Sequence, residues 1–194
     1  MDNKDKLRCS WCGDNPLYIS YHDNEWGVPL YDENRLFEML VLEGAQAGLS
    51  WVTILGKRES YRRAFNGFDA KIVADYGEKD LSRLMSDQGI VRNRSKIEAA
   101  VNNAKRVVEM QRHSLPLSAY LWSFVEGKTI QNSWERPEDV PAQNAVSEFM
   151  SRDMKKRGFK FVGPTICYAL MQSIGMVNDH LTSCYRHQEV KDLA

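Results

Sequence analysis

The sequence has no long apolar run, no net charge and few cysteines, and each of these absences excludes some classes of protein or gives no support to them. Its mean hydropathy is −0.50, and no apolar stretch reaches the about 18 residues that a membrane-spanning helix needs. We therefore expect no contact with a membrane. The first residues, MDNKDKLRCSW, are charged and lack the apolar core of a secretion signal, which predicts a cytoplasmic protein.

Only four cysteines occur in the 194 residues. In a reducing compartment such residues are free or metal-bound and not paired in disulfides. The chain length and the 43% hydrophobic content suit one domain, residues 1–194, made of two closely packed helical lobes.

The formal net charge of 0 gives no direct indication of a nucleic-acid partner. The charges are nevertheless segregated along the chain. Residues 23–43 hold six acids and one base, residues 92–112 hold six bases and two acids, and residues 152–160 hold five bases and one acid. Such blocks form either one basic face for phosphates or ordinary solvated helix faces.

Apolar residues recur at helical spacing through most of the chain, and strand patterns are weak. This predicts an all-α fold with helices over residues 32–47, 50–65, 79–85, 96–111, 116–125, 144–157 and 164–175. Residues 127–141 are polar, contain two prolines and are predicted to form a loop.

Cysteine and histidine pairs lie near both ends of the chain. Cys9 and His22 come early, and His180 and Cys184 come late. His-x-x-x-Cys on a helix would place both side chains on one face. Two cysteines and two histidines close a tetrahedral zinc site with no open position, which is structural and not catalytic. Cys12 forms a C-x-x-C pair with Cys9, and composition does not choose between the two thiols.

Glu43 lies in an otherwise apolar helical segment, between aromatic residues at 18–26 and Trp51. It is either an exposed glutamate or a carboxylate that faces an aromatic cage. A cage with a carboxylate suits a cationic aromatic ligand.

Residues 155–168 read as a helix, a short hairpin and a second helix. Backbone N–H groups around Gly163 and Thr165, at the start of the second helix, are suited to hold a phosphate. Lys156 and Lys160 would add positive charge without base specificity. Phe161 occupies the middle of the turn, where many such hairpins have glycine. The alternative is a plain helix–helix corner.

Four segments together resemble bacterial 3-methyladenine DNA glycosylase I. They are residues 14–29 (DNPLYISYHDNEWGVP), 42–51 (LEGAQAGLSW), 156–163 (KRGFKFVG) and 177–180 (VNDH). The resemblance extends from about residue 8 to residue 184. It implies a helix-hairpin-helix fold, a structural zinc ion that joins the two termini, and a base pocket that contains a carboxylate.

By position, the resemblance assigns roles to individual residues. The zinc ligands are Cys9, His22, His180 and Cys184. Glu43 is the candidate catalytic residue and, with Tyr21, hydrogen-bonds the base, while Trp51 stacks on it and Tyr18 and Trp11 complete the wall. Gly48 and Leu49 press into the DNA where the nucleotide is extruded.

The activity implied is excision of 3-methyladenine from alkylated double-stranded DNA by a monomer, with the free base as product. The resemblance implies no catalytic aspartate, so Asp179 is expected to support the fold beside His180. Catalysis then rests on extrusion, stacking and electrostatics. The rival interpretations are a non-catalytic zinc-stabilised DNA-binding module and a small-molecule enzyme with a catalytic zinc, which would need an open ligand position.

Overall fold

The computed structural model describes residues 6–193 and is mostly helical. Its helices are α1 (Pro16–Asn24), α2 (Glu33–Gln46), α3 (Trp51–Ala64), α4 (Ala70–Ala74), α5 (Glu78–Ser86), α6 (Arg94–Arg112), α7 (Leu117–Ser123), α8 (Ala145–Lys156), α9 (Pro164–Ser173) and α10 (Tyr185–Lys191). Two-residue strands β1 (Ile130–Gln131) and β2 (Val177–Asn178) pair in parallel, with Ile130 opposite Val177. The predicted all-α class is confirmed at this level.

Local signals set most helix ends. Asp32 accepts a hydrogen bond from Arg35 N at the start of α2, and Asn144 exchanges hydrogen bonds with Ser147 at the start of α8, because both side chains satisfy otherwise unpaired N–H groups. Gly158 follows α8 with a φ of 84°. Seven helices therefore lie where the sequence predicts them, within about three residues at each end.

Four parts of the chain differ from the predictions. The sequence analysis missed α1, although Asn15 caps it and Pro16 starts it, and it missed the short helices α4 and α10. The expectation that His180 and Cys184 share a helix is wrong. They flank a turn in which Cys184 N donates to Leu181 O at 2.8 Å, because α10 begins only after Cys184.

One continuous core of buried apolar side chains joins α2 to its neighbours. Ion pairs at its edge tie α1, α2 and α3 together, since Arg58 bonds both Glu25 and Glu38, and Arg62 also bonds Glu38. Much of the acidic segment 23–43 is thus paired inside the fold. The four cysteines, all within residues 6–193, form no disulfide. In the same residues, no helix has the length and apolar character needed to cross a membrane.

Candidate active site and metal centre

Helix α2 places a carboxyl group inside the protein. Residues 36–45 are all buried, because α3, α6, α7 and α9 pack around this helix. The Glu43 residue is consequently 4% exposed. The alternative of a solvated glutamate at this position is wrong.

Burial raises the pKa of Glu43 from 4.5 to about 8, and the Ser173 hydroxyl opposes part of that rise. The charged form is disfavoured because an apolar site solvates it poorly. One pKa unit corresponds to about 1.4 kcal/mol, so the penalty on the carboxylate amounts to several kcal/mol. Near neutral pH the free pocket therefore contains a mostly protonated carboxyl group, which offers one donor and one acceptor.

Five aromatic side chains line the same pocket as Glu43, namely Trp11, Tyr18, Tyr21, Trp26 and Trp51. The rings of Tyr21 and Trp51 are 5.5 Å apart. Trp11 packs edge-on against Tyr18 at 5.5 Å and lies 6.4 Å from Tyr21. The structure thus brings together the five residues assigned to the base pocket, while their roles in binding stay predictions.

The polar atoms of these rings differ in what they contact. The Tyr18 hydroxyl accepts a hydrogen bond from Val52 N at 3.0 Å, so it orients the first turn of α3. Burial and the nearby Glu43 raise the pKa of Tyr21 well above its usual value, which keeps its hydroxyl protonated. The Trp51 Nε1 atom is buried and has no hydrogen-bond partner among the described residues. A buried, unpaired donor in a pocket wall is suited to a ligand acceptor.

The rest of the lining comes from α9 and from the loop between β1 and α8. Pro137, Val140 and Pro141 of the loop and Ala169 and Gln172 of the helix line this cavity of about 400 Å³. Pockets for small molecules commonly have volumes of about 300–1,000 Å³. No motif identifies these wall residues in the sequence, because only the fold brings the loop against the aromatic side chains.

The Asp179 carboxylate lies in this wall and has four hydrogen-bond donors. They are Asn132 Nδ2 at 2.7 Å, Trp134 Nε1 at 2.8 Å, Tyr168 Oη at 2.7 Å and Gln172 Nε2 at 2.8 Å. The carboxylate therefore ties the loop to α9. The expectation that Asp179 supports this end of the fold is confirmed.

The cysteine and histidine pairs from the two ends of the chain converge beside the pocket. The ligand atoms of Cys9, His22, His180 and Cys184 all lie within 4.8 Å of one another, and all four residues are buried. Cys184 Sγ is 3.4 Å from His22 Nε2 and 3.6 Å from His180 Nδ1. This donor set could hold a metal ion.

The second nitrogen of each histidine has its own partner. His22 Nδ1 is 2.8 Å from Asp23 Oδ1, and His180 Nε2 is 3.0 Å from Trp26 O. Such contacts fix the imidazole orientation at metal sites. Cys12 instead donates to Cys9 O at 3.2 Å. The geometry groups Cys9, and not Cys12, with the other three side chains.

Two turns present the residues predicted to contact DNA. Gly48 and Leu49 form the turn between α2 and α3, where Gly48 has a φ of 80° and Leu49 is 41% exposed. A left-handed φ is easily adopted by glycine. The turn thus directs a leucine side chain to solvent next to the pocket residue Gln46.

The hairpin between α8 and α9 begins at Gly158 and ends at Gly163, the N-cap of α9. Phe161 occupies its middle with a left-handed φ of 53°, the conformation for which glycine is common in this turn. Lys156, Lys160 and Thr165 are exposed, and Gly163 is partly buried. Within residues 6–193, no acidic side chain forms an ion pair with Lys156 or Lys160.

The basic block at residues 92–112 does not form one free face. Arg94 bonds Glu78 and Glu98, and Arg106 bonds Glu109. Lys96 points inward to backbone carbonyls of α2. The hairpin block also has paired arginines, since Arg152 bonds Glu148 and Arg157 bonds Asp153, so ion pairing alone does not favour either block as a phosphate contact.

The family described as methyladenine glycosylase matches residues 11–187 of this chain. DNA-3-methyladenine glycosylase 1 of Escherichia coli K12 is 49% identical over 177 residues, which cover 91% of this chain and 95% of that protein. A crystal structure of 3-methyladenine DNA glycosylase I superposes with a TM-score of 0.91 at 47% identity, over 92% of this chain and 98% of that one. A variant of 3-methyladenine DNA glycosylase I in complex with 3-methyladenine superposes with a TM-score of 0.88 at 38% identity, over 92% and 96% of the two chains.

This chain belongs to the methyladenine glycosylase family. The match spans the pocket, the hairpin and all of the Cys/His cluster except Cys9, which lies two residues before residue 11. In this member of the methyladenine glycosylase family, sequence reasoning placed Glu43 and four of its aromatic neighbours but missed Trp26 and the wall formed by Pro137, Val140 and Pro141.

The raised pKa of Glu43 predicts a pH-dependent difference in stability between wild type and Glu43→Gln. The unfolded carboxyl ionises near pH 4.5 and the folded one near pH 8, so wild type loses stability as the pH rises through this window. Glutamine has no proton to lose. Urea denaturation at constant ionic strength should show the free energy of unfolding shifting in favour of the variant from about pH 4.5 to about pH 8 and levelling off above that.

The exposed substitution Glu189→Gln on α10 is the matched control, and its difference from wild type should stay flat over this pH range. A flat difference for Glu43→Gln as well would contradict the buried, neutral carboxyl group.

Proposed function

We propose that this protein is a DNA-repair glycosylase that extrudes 3-methyladenine from alkylated duplex DNA and hydrolyses its N-glycosidic bond. The observation that carries the proposal is a buried carboxyl group that has no ion-pair partner among the described residues and lies beside five aromatic rings, in a chain of the methyladenine glycosylase family. Two relatives, each 49% identical over 91% of this chain, are named for the same activity.

Base recognition follows from the pocket chemistry. Trp51 stacks on the extruded ring, and Tyr18 and Trp11 enclose it. Glu43 and Tyr21 face its polar edge. Adenine presents an N6 donor and an N7 acceptor on its Hoogsteen edge, whereas guanine presents O6 and N7 acceptors. Any form of the Glu43 carboxyl accepts from N6, and its protonated form also donates to N7, so adenine fits better than guanine.

The lesion itself supplies much of the driving force for bond cleavage. Methylation at N3 makes the base cationic while it is attached to the sugar. When the C1′–N9 bond breaks, its electron pair goes to the base, which leaves as neutral 3-methyladenine. The oxygen of water adds to C1′ and releases a proton to solvent. The chain's own residues extrude and hold the nucleotide, and the pocket requires no general acid.

Two turns would grip the duplex. N–H groups at Gly163 and Thr165 bind a phosphate at the start of α9, helped by Lys156 and Lys160. This arrangement corresponds to a helix-hairpin-helix motif. Leu49, behind Gly48, fills the space from which the nucleotide leaves. A monomer presents both turns.

The Cys/His cluster would hold zinc as a structural ion. Cys9, His22, His180 and Cys184 supply four donors, so no ligand position is left for substrate. Bound zinc would join the segment that carries Trp11 to the segment that follows β2. Both segments line the pocket, so the ion supports its shape and takes part in no chemical step.

The first prediction of the proposal is that Cys184→Ala removes the metal. Wild type should contain about one zinc ion per chain, while the variant should lose it and melt at a lower temperature, because metal binding is coupled to folding. Metal analysis and thermal unfolding measure both effects. Cys12→Ala is the matched control and should keep its zinc. Full metal occupancy in Cys184→Ala, or loss in Cys12→Ala alone, would refute the ligand set.

The second prediction concerns the hairpin lysines. Lys156→Ala or Lys160→Ala should weaken binding to damaged and undamaged duplexes alike, since a phosphate contact does not depend on sequence. Each lost contact should reduce the slope of log affinity against log salt concentration by about 0.9. Fluorescence anisotropy at several salt concentrations measures this slope. Lys79→Ala, an exposed lysine on α5, should leave it unchanged, and an unchanged slope in both hairpin variants would favour a plain helix corner.

The third prediction concerns Glu43→Gln. Glutamine removes the charge that the cationic base can stabilise, so kcat/KM for 3-methyladenine should fall about tenfold to a few hundredfold, the scale of a charge-assisted hydrogen bond. The lesion is inherently unstable, so excision should persist. Rejection of 3-methylguanine should also relax, because the amide can turn a donor toward O6. Release of both bases from methylated DNA is the assay.

Zinc content and circular dichroism of Glu43→Gln should match those of wild type. Wild-type rates together with wild-type selectivity would remove Glu43 from base recognition. Absence of base release by wild type would favour a non-catalytic DNA-binding module.

A further inference from the structure

Helix α6 contacts the end of α2 through Lys96. The Lys96 Nζ atom donates to Ala45 O at 2.8 Å and to Ala47 O at 2.6 Å. These carbonyls belong to the last turn of α2 and to the residue just before Gly48. Carbonyls at a helix C-terminus lack partners within the helix and carry partial negative charge. The ammonium group therefore fixes the point at which the turn with Leu49 leaves α2.

The same helix also contacts the hairpin. Asn103 Nδ2 donates to Lys160 O at 2.9 Å, and Asn103 Oδ1 accepts from Lys160 N at 2.8 Å. The neighbouring Asn102 donates to Gly158 O at 2.8 Å. Asn103 is buried, so this two-point contact with the backbone is shielded from water. It fixes the turn whose N–H groups and lysines are proposed to bind phosphate.

The two contacts are related by the geometry of α6. Lys96 and Asn103 are seven residues apart, so they lie on one face of the helix, about 10 Å apart along its axis. Helix α2 also approaches the hairpin directly, since a Cβ at Gly44 would lie 3.3 Å from Phe161 Cβ. Gly44 is adjacent to Glu43. Helix α6 thus supports the pocket helix α2, the turn of Gly48 and Leu49, which we call the extrusion turn, and the hairpin.

We infer that Lys96 and Asn103 are positioning residues for base extrusion, and that α6 sets the spacing between the turn that replaces the extruded nucleotide and the turn that grips its backbone. The inference rests on the proposed glycosylase function. Lys96 positions the extrusion turn, and Asn103 positions the hairpin that is proposed to bind the DNA backbone. Neither side chain touches the base.

Because Lys96 and Asn103 contact different turns, substitutions at these two positions should cause opposite defects. Lys96→Met keeps the side-chain length but removes the contacts to Ala45 and Ala47. It should lower single-turnover excision from a fully paired duplex about tenfold or more, because unstacking and unpairing a base is costly. Its affinity for undamaged duplex and for free 3-methyladenine should match wild type.

The test that separates positioning from general damage uses a weakened base pair. When the methylated adenine lies opposite cytosine, extrusion costs less, so the Lys96→Met defect should shrink severalfold, while Lys96→Arg should retain part of the wild-type rate on both duplexes. Asn103→Leu should show the reverse pattern, with weaker binding to all duplexes and no rescue by the mismatch. Lys79→Met is the control for loss of one exposed lysine.

Thermal unfolding and zinc content identify a variant that fails to fold, and Lys96→Arg then carries the comparison. A wild-type rate for Lys96→Met on the paired duplex overturns the inference and leaves the glycosylase proposal intact. An equal loss on paired and mismatched duplexes, with weaker binding of free base, also overturns it. Absence of base release by wild type removes both the proposed function and this inference.

Discussion

Ten consecutive residues of helix α2 are buried. The site depends on how this burial affects two glutamates, Glu38 and Glu43. Glu38 has guanidinium partners in Arg58 and Arg62. Glu43, five residues later, forms no ion pair within the described part of the chain. Burial of an unpaired carboxyl group is destabilising, so it needs a reason outside the packing of the fold. Beside five aromatic side chains, that reason is a ligand with a polar edge.

The pocket around Glu43 is assembled from segments that are far apart in the chain. Trp11 lies between the two cysteines at the start, while Asp179 and Leu181 surround His180 near the end. The Cys/His cluster is the point at which these segments meet. Asp179 then connects the late segment to the loop of Trp134. The aromatic wall and the loop wall are therefore held by polar contacts, which fix distances more sharply than apolar packing does.

The helical framework follows closely from the sequence, because caps such as Asp32 and Asn144 and the left-handed Gly158 act locally. Helix α1 was not predicted because its apolar side chains line the pocket and do not recur at helical spacing. Only Asn15 and Pro16 mark its start in the sequence. The turn between His180 and Cys184 was misassigned for a related reason. Four ligand atoms from two remote segments must converge there, and a spacing rule for one helix contains no information about that partner segment.

The sequence predicted the candidate site only where long motifs identified its residues. The residue types around Glu43 indicated a cage, but the same sequence was also compatible with an exposed glutamate. The burial of Glu43 in the structure decides between the two. The loop wall at Pro137 and Val140 and the inward direction of Lys96 have no sequence motif. Both arise from long-range contacts, since Lys96 reaches carbonyls that are about fifty positions away in the chain.

The protonation state of Glu43 bears on the chemistry in two opposing ways. A carboxylate attracts the cationic base of the lesion, but the base becomes neutral as the C1′–N9 bond breaks, so that attraction weakens toward the transition state and does not accelerate cleavage. A neutral carboxyl holds the adenine edge equally well before and after departure. With a pKa of about 8 in the free pocket, Glu43 lies between these limits. Its hydrogen bonds select adenine in both forms, and its charged form strengthens binding of the cationic lesion. Bond cleavage is left to the instability of the base itself and to the positioning of its nucleotide.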